Sequence, residues 1–265
     1  MSPDRAVAEF DEISQVYDVT RDPLEPDLVR SVAATLQAWG ARRLLEVGVG
    51  TGRVAGPLTA LGLEVTGVDA STGMLARARA KQLSRLVRGE AYRLPFEDRA
   101  FDISLFVHVL HLLDQPVRAI AEACRVSSLG AAALVRPAGP RGEGAERRLR
   151  PRAQVLERLR AQGIEVPDPE RAAGGPPARE RRLITEHPPQ RLVVLSERDV
   201  TEPLARELTL FEQRASRWTL RIPREPLARA VEEVRAELGD RTHTYHSVIA
   251  LALWERPPTL GLSAP

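Results

Sequence analysis

The chain has 265 residues, of which 43% are hydrophobic and 28% are charged, an ordinary composition for a soluble globular protein with room for one large core. The formal net charge of +2 gives little non-specific attraction to nucleic acid or to an anionic membrane, although the sequence pI is about 9.1. The single cysteine excludes a disulfide within the chain and a cysteine-based metal cluster.

Targeting and membrane signals are absent from the sequence pattern. No apolar run follows Met1, so a secretory signal is not expected. The longest apolar stretch, Ile103 to Leu113, contains a serine and two histidines and is too short to span a bilayer. These features predict a cytoplasmic protein without a membrane span.

Two helices are predicted ahead of the first strand, over residues 1–40. The first segment contains Tyr17 and ends near two prolines, and a helix from Leu28 to Trp39 follows it. The simplest role for Tyr17 is that of a surface aromatic side chain that covers the core.

A glycine-rich stretch follows these helices. A mostly apolar run over residues 44–47 leads into Gly48, Gly50 and Gly52, which predicts a buried strand that ends in a tight turn and opens a helix near residue 52. Glycine tolerates positive φ and lets a ligand approach the backbone closely. Unpaired N–H groups at the helix start would favour an anionic or zwitterionic small molecule.

The spacing of the glycines separates two families of nucleotide-binding folds. The nicotinamide fingerprint is G-x-G-x-x-G, and its third glycine would fall on Arg53. The chain instead reads E-x-G-x-G-x-G from Glu46 to Gly52, which resembles the first motif of class I S-adenosylmethionine-dependent methyltransferases. The resemblance implies S-adenosyl-L-methionine as the cofactor, S-adenosyl-L-homocysteine as the product, and no metal.

Acidic residues follow the next two predicted strands. Asp69 lies 21 residues after Gly48, where a carboxylate can accept hydrogen bonds from both ribose hydroxyls. The alternative is that Asp69 only helps to begin the next helix. Glu90 follows the third strand, and the resemblance implies a position near the adenine, where the family commonly has Asp.

Two histidines follow the fourth predicted strand, residues 101–107. The resemblance implies that this strand end faces the transferable methyl group, which makes His108 and His111 candidate catalytic bases because histidine titrates near neutrality. A role in packing or hydrogen bonding at the edge of the site is equally open.

The resemblance is carried by motifs between residues 10 and 136 and implies a set of cofactor-binding residues. They are Tyr17, Glu46, Gly48, Val49, Gly50, Gly52, Asp69, Ala70, Met74, Glu90, Ala91 and Val107. Tyr17 is included because a leading Tyr-Asp segment folds over the cofactor in many members of the family.

The composition changes between Arg136 and about Gln190. Arginine is frequent there, but acidic residues such as Glu180 are interleaved and aromatic residues are absent, so a nucleic-acid partner is not expected. One helix is predicted from Leu149 to Gln162, and another is predicted to begin with Thr201 as its cap. The resemblance implies that segments within 137–240 form a lid over the acceptor.

Strands and helices alternate through the first half, which predicts an α/β fold with a Rossmann-like, doubly wound sheet. The resemblance implies seven strands, mostly parallel with an antiparallel last strand, and helices on both faces. We expect a single domain over 1–265, divided into N-terminal cap helices 1–40, a cofactor-binding half 41–136, an insertion with one edge strand 137–240, the last strand 241–256 and a tail 257–265.

The predicted function is methyl transfer to a small-molecule acceptor by in-line displacement, as in the ubiquinone and menaquinone biosynthesis enzymes that the motifs resemble. Two alternatives stay open. One is a catalytically silent module that binds S-adenosylmethionine, and the other is an NAD(P)-dependent oxidoreductase, which Arg53 disfavours.

Overall fold

The central strands are short and apolar along nearly their whole length, a pattern typical of parallel strands covered on both faces. The computed structural model describes residues 3–19, 24–137, 151–166, 179–213, 219 and 222–258. Its strands are β1 Arg43–Val47, β2 Glu64–Asp69, β3 Leu86–Arg88, β4 Ile103–Val107, β5 Ala131–Val135, β6 Arg191–Pro203 and β7 Thr242–Trp254. Its helices are α1 Pro3–Ile13, α2 Pro26–Ala38, α3 Ala55–Ala60, α4 Thr72–Ala80, α5 Pro116–Arg125, α6 Pro151–Ala161, α7 with 179–186 described, α8 Arg206–Glu212 and α9 Arg224–Leu238.

The seven strands form one sheet in the order β3-β2-β1-β4-β5-β7-β6. β1 pairs in parallel with β2 on one side and with β4 on the other. β7 runs antiparallel to β5, with Ala133 opposite Ala252. This topology confirms the predicted doubly wound sheet with an antiparallel last strand, and it puts the strand-order reversal between β1 and β4, where open α/β sheets bind ligands.

Successive residues of β1 enter different apolar clusters, because side chains of a strand alternate between the two faces of a sheet. Leu44 joins the cluster that contains α2 residues such as Leu36. Leu45 joins the cluster that contains α5 residues such as Ile120. Helices therefore cover both faces of the sheet.

The chain groups into two compact units. The first contains residues 1–137, 179–196 and 248–265, and the second contains residues 138–178 and 197–247. The second unit has its own apolar cluster, to which α6, α8 and α9 contribute buried residues such as Val155, Leu208 and Val234. The predicted boundaries of a single domain with an insertion over 137–240 stay a prediction.

The prediction that Thr201 caps a helix is wrong. Thr201 lies inside β6, and its hydroxyl forms a hydrogen bond of 2.7 Å with the hydroxyl of Thr244 on β7. The helix begins at Arg206, and Ala205 before it provides no side-chain cap. A threonine suits a strand as well as a helix cap, and here the partner strand decides between the two.

Candidate functional site

The glycine turn after β1 is held by its own amides. The N–H groups of Gly48 and Val49 both donate to the carbonyl of Val68, at 2.8 and 3.0 Å. The N–H of Gly50 donates to Oδ2 of Asp69 at 2.8 Å, and that of Gly52 donates to the carbonyl of Val49 at 3.0 Å. The expected unpaired N–H groups are therefore absent at these four positions of the turn, and helix α3 begins only at Ala55.

The three glycines are required for different reasons. All have positive φ, +73° at Gly48, +55° at Gly50 and +76° at Gly52. A Cβ at Gly48 would lie 2.5 Å from the side chain of Val109, and one at Gly52 would lie 2.1 Å from that of Leu83. A Cβ at Gly50 would meet nothing within 4 Å. Packing thus excludes side chains at the outer two positions, whereas Gly50 borders open space that a ligand can enter.

Glu46 provides a buried acid beneath this turn. It is 2% exposed, and its Oε2 atom has no hydrogen-bond partner within the described ranges. Burial, together with the nearby Asp69 carboxylate, raises the pKa of Glu46 to about 8. A buried, unpartnered carboxyl oxygen is costly unless a ligand satisfies it. Glu46 therefore suits a ligand that carries a positive charge or a strong hydrogen-bond donor.

Asp69 ends β2 beside the turn. Its carboxylate accepts hydrogen bonds from the N–H groups of Gly50 at 2.8 Å and Ser71 at 2.9 Å. Burial nevertheless raises the pKa of Asp69 above its ordinary value, against the lowering effect of these backbone hydrogen bonds. Asp69 thus stabilises the turn and the start of α4, and the ribose role that the sequence also left open for it stays a prediction.

The N-terminal segment is fastened to the same region. Asp11 of α1 accepts hydrogen bonds from Ser71 Oγ at 2.6 Å and from the N–H of Gly73 at 2.7 Å. Asp18 accepts a hydrogen bond of 2.5 Å from Thr51 in the glycine turn. Asp18 also forms an ion pair of 2.6 Å with Lys81, the chain's only lysine. These contacts attach the segment around Tyr17 to the glycine turn and to the start of α4, and its role as a cover over the cofactor stays a prediction.

Most of the remaining predicted cofactor residues lie at or just after the carboxyl ends of β2, β3 and β4, and Met74 lies further on in α4. Met74 is buried in α4 and donates its N–H to Ser71 Oγ at 3.1 Å. Glu90 follows β3 and is exposed, and Ala91 packs against the α5 cluster. Val107 ends β4 and is 9% exposed. Ala70, directly after Asp69, is partly exposed.

His108 follows β4 in a strained backbone conformation, with φ at +57°. Although its side chain is accessible to solvent, surrounding protein atoms desolvate it and, with the nearby Arg136, lower its pKa to about 4. His108 is therefore neutral at pH 7.

His111 lies one turn further on and is partly buried. Its Nδ1 lies 3.3 Å from Oε1 of Glu180, and its carbonyl oxygen accepts a hydrogen bond of 3.0 Å from the guanidinium of Arg179. Sequence reasoning treated Glu180 only as one of several interleaved acids. The apolar residues Leu183 and Ile184, one helical turn later, are the signal that this segment packs against the core.

Two properties complete the description of the site. Within the described part of the chain, no group of three or more His, Cys, Asp or Glu side chains is placed to hold a metal ion. No helix in those residues combines the length and apolar character needed to cross a membrane.

Comparison with known proteins agrees with this geometry. Residues 45–135, from β1 to the end of β5, match the family model described as a methyltransferase domain. This segment is similar to that family. The matched segment contains the glycine turn, the three acids Glu46, Asp69 and Glu90, and both histidines, and the match confirms the resemblance drawn from the motifs.

Curated relatives cover a similar part of the chain. A demethylmenaquinone methyltransferase from Renibacterium salmoninarum is 33% identical over 138 residues, which are 50% of this chain and 58% of that protein. A phosphatidylethanolamine N-methyltransferase from Cereibacter sphaeroides is 34% identical over 127 residues, 45% of this chain and 62% of the relative. The chain thus spans less than two thirds of either relative.

Among solved structures, the crystal structure of the [4+2]-cyclase SpnF covers 96% of both chains with a TM-score of 0.50 and 20% identity. This likeness concerns the fold alone. Because that neighbour is described as a cyclase, the fold does not by itself decide the reaction.

Proposed function

We propose that the protein is a methyltransferase that takes its methyl group from S-adenosylmethionine and transfers it to a small-molecule acceptor. The buried Glu46, whose Oε2 is unpartnered among the described residues, carries the proposal. It lies next to a turn in which the N–H groups of Gly48, Val49, Gly50 and Gly52 are already bonded internally. Such a site suits a ligand with an ammonium group and hydroxyls better than the diphosphate of a nicotinamide cofactor, which needs free N–H donors.

The residues present fit S-adenosylmethionine in three places. Glu46 would hold the methionine end, the open face at Gly50 would admit it, and Asp69 would accept from the ribose hydroxyls. Glu90, as the acid after β3, would lie on the adenine side. When bound, the cofactor supplies an electrophilic methyl group, and its sulfur keeps the electron pair of the broken C–S bond.

The protein contributes to the reaction mainly by positioning the acceptor against the methyl group. Holding the acceptor and the methyl group in line at about 3–3.5 Å can contribute roughly 7–11 kcal/mol toward the barrier. His108 and His111, at the end of β4, would act as bases when the acceptor has a proton to lose. The cytoplasmic location and the lid within 137–240 stay predictions.

Cofactor choice is tested by thermal unfolding with S-adenosylmethionine, S-adenosylhomocysteine, NAD and NADP. A ligand at 100 times its dissociation constant adds about 2.7 kcal/mol to the free energy of unfolding. We expect stabilisation by the first two only, and loss of that effect in Gly50→Val, whose side chain enters the open face. Stabilisation by a nicotinamide cofactor alone would contradict the proposal.

Methyl transfer is tested with radiolabelled S-adenosylmethionine and two acceptors chosen from the relatives, a short-chain demethylmenaquinol and a short-chain phosphatidylethanolamine. Labelled product with either acceptor supports the proposal, and the acceptor that is labelled shows whether the enzyme methylates a hydroquinone or an amine. Tight cofactor binding without product from these or a wider metabolite panel would favour the silent binding module.

A further inference from the structure

The described part of α7 is firmly attached to the first unit. Leu183 is 5% exposed and, with Ile184, packs into the cluster that contains α5. The carbonyl of His187 accepts a hydrogen bond of 2.9 Å from the indole N–H of Trp254. Because Trp254 is fully buried at the end of β7, α7 has a fixed position relative to the sheet.

Two neighbouring residues at the start of this described part contact His111. The Arg179 guanidinium donates to the His111 carbonyl oxygen at 3.0 Å, and the Glu180 carboxylate faces the ring Nδ1 at 3.3 Å. The second oxygen of Glu180 lies 3.4 Å from the N–H of Arg136, at the end of β5. The side chains of Glu180 and His111 are 5% and 14% exposed. Glu180 therefore joins the ends of β4 and β5 through one buried carboxylate.

A neutral imidazole carries one proton, and its other nitrogen accepts. An ionised Glu180 can only accept, so its contact with Nδ1 requires the proton to be on Nδ1. The Nε2 lone pair is then available as a base. A carboxylate in this arrangement also stabilises the imidazolium that forms when Nε2 takes a proton.

We propose that Glu180 is a positioning residue that holds His111 in the Nδ1-protonated tautomer, with Nε2 as the atom that receives the acceptor's proton. The assignment of this role in catalysis rests on the proposed methyl transfer. As the attacking atom of the acceptor forms its bond to the methyl carbon, the C–S bond breaks with its electron pair on sulfur, and the O–H or N–H proton of a hydroxyl or amine moves to Nε2. A hydroquinol that is methylated on a ring carbon gives its hydroxyl proton to Nε2, and the ring C–H proton then moves to that oxygen and restores the aromatic ring. The proton on Nε2 is later lost to solvent, which restores the neutral imidazole. The distance of 3.3 Å between Nδ1 and Oε1 is at the long end for a hydrogen bond.

The tautomer is measured directly by NMR of protein labelled with ¹⁵N-histidine. The signal of His111 is assigned with His111→Gln. We expect Nδ1 to be the protonated nitrogen in the wild type, and the proton to shift toward Nε2 in Glu180→Leu. Glu180→Gln keeps the shape and provides a second variant in case leucine prevents folding. Glu186→Leu is the matched control, because Glu186 is an exposed glutamate on the same helix, paired with Arg182. Protonation at Nε2 in the wild type, or an unchanged tautomer in both Glu180 variants, would overturn the proposal.

The catalytic role is measured with the demethylmenaquinol named above. We expect Glu180→Leu to lower kcat by about 10²-fold, the lower end of the range for general base catalysis. The KM and the cofactor affinity should stay unchanged, and Glu180→Asp should partly restore kcat. Equal kcat in the wild type and Glu180→Leu would show that Glu180 has no positioning role in the reaction. If the wild type binds no S-adenosylmethionine, the proposed function fails, and the tautomer experiment still decides what Glu180 does to His111.

Discussion

Replacement of Glu46 by glutamine tests the central feature of the site. With a pKa of about 8, Glu46 is about nine-tenths protonated at pH 7. A bound ammonium group favours the ionised carboxylate, so binding should release close to one proton from the wild type. Return of the pKa from about 8 to its ordinary 4.5 sets an upper limit of about 5 kcal/mol on this coupling. Glu46→Gln has no proton to release, and its affinity for the ligand should fall.

The assay is titration calorimetry of S-adenosylhomocysteine binding at pH 7 in buffers with different ionisation enthalpies. The slope of the observed enthalpy gives the number of protons released. We expect a slope near one proton in the wild type and near zero in Glu46→Gln. Glu64→Gln is a suitable control, because Glu64 is an exposed acid on β2, paired with Arg85. Equal slopes in the wild type and Glu46→Gln would refute the reasoning.

The same pKa shift has a consequence for the ligand-free protein. Because the folded-state pKa of Glu46 is raised, the folded protein binds more protons than the unfolded chain between about pH 4.5 and 8. The free energy of unfolding should therefore fall as pH rises through this window, with a contribution from Glu46 of up to about 1.4 kcal/mol per pH unit. Denaturant unfolding at pH 5.5 and 7.5 should show this contribution in the wild type and lack it in Glu46→Gln.

Three further predictions concern the surroundings of the site. Gly52→Ala should lower the free energy of unfolding by about 1–3 kcal/mol, because Gly52 has a positive φ and the new Cβ would clash with Leu83. Gly50→Ala should lower the free energy of unfolding by only about 1 kcal/mol, but it should weaken cofactor binding. Equal losses of stability in the two variants would contradict this contrast. Asp18→Asn should speed the labelling of Lys81, the chain's only lysine, by an amine-reactive reagent, and it should destabilise the fold by at most about 1 kcal/mol. An unchanged labelling rate would refute the ion pair between Asp18 and Lys81. Hydrogen bonds from the backbone of residues 42 and 43 hold the pKa of Asp102 below its ordinary value. The ionised Asp102 therefore stabilises the folded protein above pH 4, and this stabilisation is lost as pH falls through the folded-state pKa. The free energy of unfolding of Asp102→Asn, measured at acid pH, should lack this pH-dependent loss.

The glycine turn and the sheet could be predicted because their signals are local. Glycines at every second position, followed by an acid at the end of the next strand, specify both the backbone conformation and the order of elements. The hydrogen bond from the N–H of Gly50 to the carboxylate of Asp69 could not be predicted, because it depends on the distance between these two residues in the folded chain.

The contact of Glu180 with His111 was missed for a similar reason. The two residues are 69 positions apart, and Glu180 lies in a segment whose arginines, prolines and glycines suggested an irregular insertion. Only the position of α7 on the sheet makes this acid different from its neighbours in sequence. Thr201 shows the reverse case, in which a local signal fits two structures and the distant strand β7 selects one.

The insertion of β7 between β5 and β6 determines when the first unit can be completed during synthesis. Cys124 at the end of α5 donates to the carbonyl of Trp254 across 130 positions of sequence, and until β7 emerges from the ribosome the side of β5 is an unpaired strand edge. Such edges attract other chains, and contacts so distant in sequence form slowly. The first unit should therefore close only after β7 has been synthesised, and until then the exposed edge of β5 is the point at which a nascent chain most needs a chaperone.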